Sequence, residues 1–357
     1  MCFHKSFAQK TDDLLAHYAA SFQTITDELA PVQERFSELL KKDEKLDAVA
    51  GSPDEIHGLL TAYSQKDALP PHLTKPELAE LKWCLKTLSA MGQAGVHRYY
   101  ENGFDYLPTP LITAGDPKNF KLFRWGFIPF YMTDREKAMV LRTQTLNCIS
   151  EEMYDKPSFR DAAKKAQRCL IPVSGFFEWR WLDEQGTVKI PYYVTFRDQQ
   201  VRSMAGLYSR WKDPQTDSYY YSYTVLTTRA NSILEYVHNH KKRMPVFIAR
   251  EDEQAWLNPS LSQQDVLELC QPSQDPAMRA YTISKLLTTR NINANVPAVL
   301  QPMNYEAAIA RASQFLLSGD KKKALEAFKD SVSGDKIKIT DLAHVAGQQI
   351  KSEVELG

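Results

Sequence analysis

Three observations predict an α+β fold. Between Tyr106 and Met303 the chain carries short runs rich in aromatic and β-branched residues, cut by Gly, Pro, Asp or Lys turns. Helical stretches interrupt those runs irregularly, without the regular strand–helix alternation of a doubly wound parallel sheet. On either side, from Thr26 to Gly92 and from Tyr305 onward, apolar residues recur at helical spacing. The 357 residues, 43% hydrophobic and 25% charged, are ample for a large core.

The leading segment reads as helices through VQERFSELLKK, EIHGLLTAY and LAELKWCLKTL. Ser52 with Glu55, and Thr74 with Glu77 next to Pro76, have capping-box spacing, and breaks fall at residues 51–53 and 68–72. Strands are predicted in LPTPLITA, FKLFRWGFIPF, RCLIPVSGFFEWRW, VKIPYYVTFR, VRSMAGLYSRW, YYYSYTVLTT and RMPVFIA. SEEMYDKPSFRDAAKKA, ANSILEYVHNH and EDEQAWLNPS are the intervening helices, and the tail EAAIARASQFLLSGDKKKALEAFKDS continues as helix.

Charge narrows the function classes. Lys+Arg 44 balances Asp+Glu 44, which argues against a polybasic nucleic-acid coat, an acidic tail or extended disorder. Nucleic acid would have to be held by a local patch. One candidate lies between Arg229 and Arg250, where five basic residues (229, 241, 242, 243, 250) face one acid, Glu235. No apolar run approaches roughly 18 residues, so no membrane span is expected. The start, MCFHKSFAQKTDDLLAH, lacks an apolar signal-peptide core. Five cysteines (2, 84, 148, 169, 270) without a CxxC suggest neither disulfides nor a metal site, and a reduced, cytoplasmic chain is expected.

Four features can carry chemistry. Removal of Met1 would make Cys2 the first residue, placing an α-amine of pKa about 7.7–8.0 beside a thiol. Such a pair can form an imine with an aldehyde and close it to a thiazolidine; Cys2 is equally readable as a small buried residue. Glu178 is the single acid in a run of aromatics, which suits a raised pKa and proton transfer, or else a surface pairing with Arg180. His238 and His240 sit where a helix meets a strand, as general acid–base candidates or solvated residues. Trp125, Phe127, Phe130, Tyr131 and Trp179 can stack on unpaired bases or pack in the core.

Taken in order, MCFH, RWGFIPF, LNCISEE, CLIPVSGFFEWR, AGLYSRW, TVLTTRAN and HNHKKRMPV resemble the SRAP family of abasic-site processing proteins, associated with the SOS and DNA-damage responses. The resemblance implies a β-rich, mostly antiparallel, barrel-like core at residues 1–24 and 97–304, a helical insertion at 25–96 and a C-terminal helical extension at 305–357. It implies covalent capture of abasic sites in single-stranded DNA through Cys2, with accessible AP-lyase and N-terminal autoproteolytic chemistry. Asn147 matches the active-site asparagine, Glu178 the catalytic glutamate, and His238 the histidine ahead of RMP, with His240 as its alternative. For DNA contact it implies Trp125 and Pro129 (a W-G-x-x-P wedge), Arg160, Trp179, Lys241, Lys242 and Arg243. No cofactor, metal or membrane partner is expected, and a monomer is, nucleoid-associated if the source is bacterial.

Three departures stand out. His4 and Ile149 occupy positions where the family commonly carries arginine, and H-x-R-M-P is lengthened to H-N-H-K-K-R-M-P, where Lys241 and Lys242 offer compensating charge. Two other functional classes remain open: a thiol amidase or peptidase using Cys2 and His238, and a non-catalytic binder of single-stranded DNA.

Overall fold

The computed structural model describes residues 2–9, 11–42, 73–90, 96–186, 188–288, 294–329 and 350–356. Two sheets organise them. One is antiparallel throughout, in the order β14 (Glu353–Glu355), β13 (Met278–Thr282), β8 (Lys189–Phe196), β7 (Gly175–Trp181), β1 (His4–Gln9), β2 (Val96–Asn102). In the other, β10 (Tyr219–Arg229), β4 (Asp116–Trp125), β3 (Pro108–Thr113), β6 (Arg168–Val173) and β9 (Arg202–Lys212) follow one another, and β9 pairs back onto β10. That last pairing closes a five-stranded barrel, antiparallel except for the β10–β4 seam. Short strands β5 (Asn147–Ile149), β11 (Arg243–Pro245) and β12 (Phe247–Ile248) add to its edges.

Side-chain alternation divides the core. Phe123, Trp125, Ile171, Met204, Tyr223 and Val225 form one buried cluster with Phe176, Val194 and Ala280 of the open sheet. Phe120, Leu170, Ala205, Leu207 and Leu226 face the other way. There they meet α1 (Thr11–Tyr18), the first half of α2 (Gln23–Leu40), α5 (Arg160–Lys164), α7 (Glu253–Leu257) and α8 (Gln263–Glu268). The barrel is thus sheathed by helices on one side and joined to the open sheet on the other.

The second half of α2 pairs with α3 (Lys75–Ala90) through Phe36, Leu39, Leu40, Leu81, Cys84 and Leu88, a separate small core. At the start of α3 the capping box predicted from Thr74 and Glu77 is present: the Glu77 carboxylate accepts from the Thr74 amide at 2.9 Å, and Thr74 Oγ1 from the Glu77 amide at 3.4 Å. The capping box at Ser52 and Glu55, the EIHGLLTAY helix and the breaks at residues 51–53 and 68–72 lie outside the described residues.

Several predicted strands are shorter or split. FKLFRWGFIPF stops at Trp125, because Gly126 turns the chain at φ +109°, where a Cβ would stand 2.8 Å from the Arg142 carbonyl. RCLIPVSGFFEWRW divides at Ser174, β6 going to the barrel and β7 to the open sheet. Gly175 permits that crossing, since a Cβ there would lie 2.4 Å from the Val194 carbonyl. RMPVFIA divides into β11 and β12, with Val246 bonded to β9 and β10 between them. Helix α4 (Arg135–Leu141) follows the Pro129 turn, and α6 (Ser232–Val237) leads into β11. After β13 come α9 (Tyr305–Leu317) and α10 (Lys321–Lys329); the tail then adds β14, a strand its helical composition does not announce.

One buried charge cluster fixes the N-terminal strand. Lys5 of β1 and Arg98 of β2 both donate to Glu101 at 2.8 Å, all three nearly sealed from solvent. Thr109 donates to the second carboxylate oxygen at 3.0 Å. Burial alone would raise the Glu101 pKa, but the two cations outweigh it and bring it down to about 2. Glu101→Gln should therefore destabilise the fold by about 3–5 kcal/mol in urea unfolding. The wild-type contribution is complete above the ordinary carboxylate pKa and is lost as pH falls toward 2; the variant's unfolding curve should lack that component of the pH dependence.

Candidate active site

Strand β1 threads between β2 and β7, Lys5 opposite both Glu101 and Phe176. This sets Cys2, just ahead of β1, in the core shared by the two sheets, beside β5, which runs parallel to β10 with Asn147 beside Val225. Asn147 Nδ2 donates to the Cys2 carbonyl at 2.8 Å. Its Oδ1 is buried and has no hydrogen-bond partner among the described residues. A buried amide oxygen left unsatisfied is costly, and here it stands beside the residue the sequence singles out.

Glu178 lies two residues along β7 from Phe176, opposite Tyr192 of β8. Its carboxylate faces His238 at 3.9 Å, both groups buried. His238 follows α6, and its Nδ1 meets the Arg243 carbonyl at 2.8 Å. A carbonyl only accepts, so Nδ1 carries the proton and Nε2 is turned toward Glu178. Burial lowers the His238 pKa and the Glu178 charge partly restores it. Burial raises the Cys2 thiol well above its ordinary value, and Glu178 raises it further. The pocket thus keeps its imidazole neutral and its sulfur protonated.

The structure brings Cys2, Asn147, Glu178 and His238 together. His240 is not among them: it is exposed and stacked on Trp181, with ring centroids 3.8 Å apart and planes 9° from parallel. The Trp125 assignment to a DNA-facing wedge is corrected: Trp125 is 0% exposed, stacks on Tyr223 and donates its indole N–H to the Leu146 carbonyl at 2.7 Å. Pro129 is buried too. Of the exposed-aromatic candidates Phe127 is also core, whereas Phe130 (47%) and Tyr131 (44%) are exposed. Lys165 lies 4.1 Å over the Phe130 ring.

The remaining candidates differ in exposure and engagement. Arg160 is exposed at the start of α5, and Lys241 and Lys242 are exposed in the turn after His238, Lys242 at φ +48°. Arg243 is already engaged, forking onto Glu151 at 2.9 and 2.8 Å. Trp179, half-buried, meets His4 edge-on at 5.0 Å. His4 is stacked on Tyr100 and bonded to its hydroxyl at 2.9 Å, and burial takes its pKa down to about 4. It is therefore neutral. Sequence reading missed the Lys5–Glu101–Arg98 cluster, which only the pairing of two strands 96 residues apart creates. No group of three or more His, Cys, Asp or Glu side chains suited to a metal occurs among the described residues.

A family model described as SOS response associated peptidase (SRAP) matches residues 78–290. The abasic site processing protein YoqW of Bacillus subtilis is 33% identical over 185 residues, 52% of this chain and 78% of the relative. The abasic site processing protein HMCES of Xenopus tropicalis is 28% identical over 171 residues, 43% of this chain and 49% of that one. A crystal structure of a protein from Bacteroides thetaiotaomicron, 28% identical, superposes with a TM-score of 0.60, covering 85% of this chain and 100% of its own.

The His238–Glu178 geometry makes a directional prediction. In an NMR titration the His238 ring should charge below the ordinary histidine value of about 6.5. In Glu178→Gln it should charge at a still lower pH, because the nearby negative charge that favours the imidazolium is gone. An upward movement would show that the two groups are not coupled as placed.

Proposed function

The chain belongs to the SRAP family, and from that premise we propose that it processes abasic sites by trapping them covalently on Cys2. The observation that carries this reading is the convergence of Cys2, Asn147, Glu178 and His238 in one pocket. After loss of Met1, the freed α-amine adds to the ring-opened sugar aldehyde, and loss of water gives an imine. The Cys2 S–H then adds across the C=N bond: sulfur bonds to carbon, the thiol proton passes to nitrogen, and a thiazolidine closes.

The electrostatics support this order of events. A thiol held protonated is a poor first nucleophile, whereas an α-amine near pKa 8 has a substantial neutral fraction at pH 7.4. The same observation weighs against the amidase or peptidase alternative, which needs a thiolate to attack an acyl carbon. Glu178 and the Nε2 of His238 are placed to pass the protons that carbinolamine formation and dehydration require. Asn147 Oδ1, buried and unpartnered, is available to accept from the amine or a sugar hydroxyl.

Single-stranded DNA fits the surroundings better than duplex. Exposed Phe130 and Tyr131 offer ring faces to unpaired bases, with Lys165 alongside. Arg160, Lys241 and Lys242 supply phosphate contacts near a pocket whose family arginines are replaced by neutral His4 and Ile149.

Incubation with an abasic single strand should give a product that survives heating in detergent and vanishes in Cys2→Ala. A persistent product in Cys2→Ala would sink the mechanism, and the intact mass of the active protein should lack Met1. Phe130→Ala and Tyr131→Ala should each weaken single-strand binding by about 1–3 kcal/mol in a fluorescence titration, with little effect on duplex.

A further inference from the structure

The described end of the chain, residues 350–356, is built into the site's foundations. Ile350 and Val354 are buried in the main core, β14 pairs with β13, and the Thr282 amide donates to the Ser352 carbonyl at 2.9 Å. Between these anchors the Lys351 main chain is gripped twice. Its N–H donates to Tyr236 Oη at 2.8 Å, and its carbonyl accepts from Tyr192 Oη at 2.6 Å.

Both tyrosines reach the reacting groups by short covalent or sheet connections. Tyr192 on β8 is the register partner of Glu178 on β7. Tyr236 on α6 precedes His238 by two residues. Arg180, two residues beyond Glu178, lies 4.0 Å over the Tyr236 ring and donates to the Tyr236 carbonyl. The carboxylate and the imidazole, on different elements, are thus each referred to the same backbone residue near the C-terminus.

We propose that Lys351, acting through Tyr192 and Tyr236, is a positioning device that sets the spacing of Glu178 and His238. The C-terminal extension is then a working part of the site. This rests on the reading above, in which that pair moves protons during capture.

The test uses the full chain carrying Tyr192→Phe or Tyr236→Phe, which keep the rings and delete the hydroxyls that bond the Lys351 main chain and each other. The single-turnover capture rate at saturating abasic single strand should fall about three- to tenfold in each. Affinity for a strand carrying a tetrahydrofuran site, which has no aldehyde, should stay within twofold. The His238 ring resonances should move in Tyr236→Phe, as a merely structural contact elsewhere would not require. Wild-type rates with unmoved His238 resonances in both Phe variants, or an equal loss of rate and affinity, would each overturn the inference. Absence of any covalent product from the wild type would instead overturn the proposed function, and the His238 resonances alone would then decide the positioning role.

Discussion

Everything at the pocket depends on the Lys5–Glu101–Arg98 cluster, which welds the N-terminal strand into the sheet. A terminal strand is ordinarily prone to fray, and a reactive residue ahead of it would sample many positions. Here the strand is flanked on both sides, by β2 and β7, and its lysine is spent on an ion pair with no access to water. Releasing the strand would withdraw Lys5 and leave the buried Glu101 carboxylate with Arg98 as its one charged partner in the cluster. The cluster also carries one unbalanced positive charge, and Lys5 lies 5.8 Å from the Trp125 ring. That charge lowers the Cys2 thiol, but burial and Glu178 act more strongly in the other direction.

The pocket above the cluster keeps its thiol and its imidazoles uncharged at rest. Burial acts on all of them in the sense that disfavours charge: Cys2 upward, His4 and His238 downward. Positive charge is displaced to the rim, on Lys241 and Lys242 and on Arg243, whose guanidinium is already shaped around the Glu151 carboxylate. A phosphate arriving there would replace one anion by another, on a fork whose rotamer is already ordered.

Much of this was legible in the sequence. The aromatic and β-branched runs located the strands of the barrel and the core of the open sheet, and the Thr74–Glu77 pair located the start of α3. Local pattern carried those elements because their stabilising contacts repeat along the chain. β1, β2 and β13 escaped because their register partners are distant and their composition is mixed, with Lys5, Arg98 and Glu101 buried only by mutual pairing. The W-G-x-x-P motif points Trp125 outward, yet its position on the inward phase of β4 decides its burial. The choice between His238 and His240 needed the turn geometry, which places one ring over Glu178 and the other over Trp181.

The topology also bears on synthesis. β1 finds its neighbours only at residues 96–102 and 175–181, so the emerging N-terminus has no sheet to join until roughly half the chain has left the ribosome. Until then the first residues stay open to an aminopeptidase, and once β7 arrives Cys2 is enclosed. The loss of Met1 that the proposed capture requires would therefore have its window set by strand order, closing as the sheet forms.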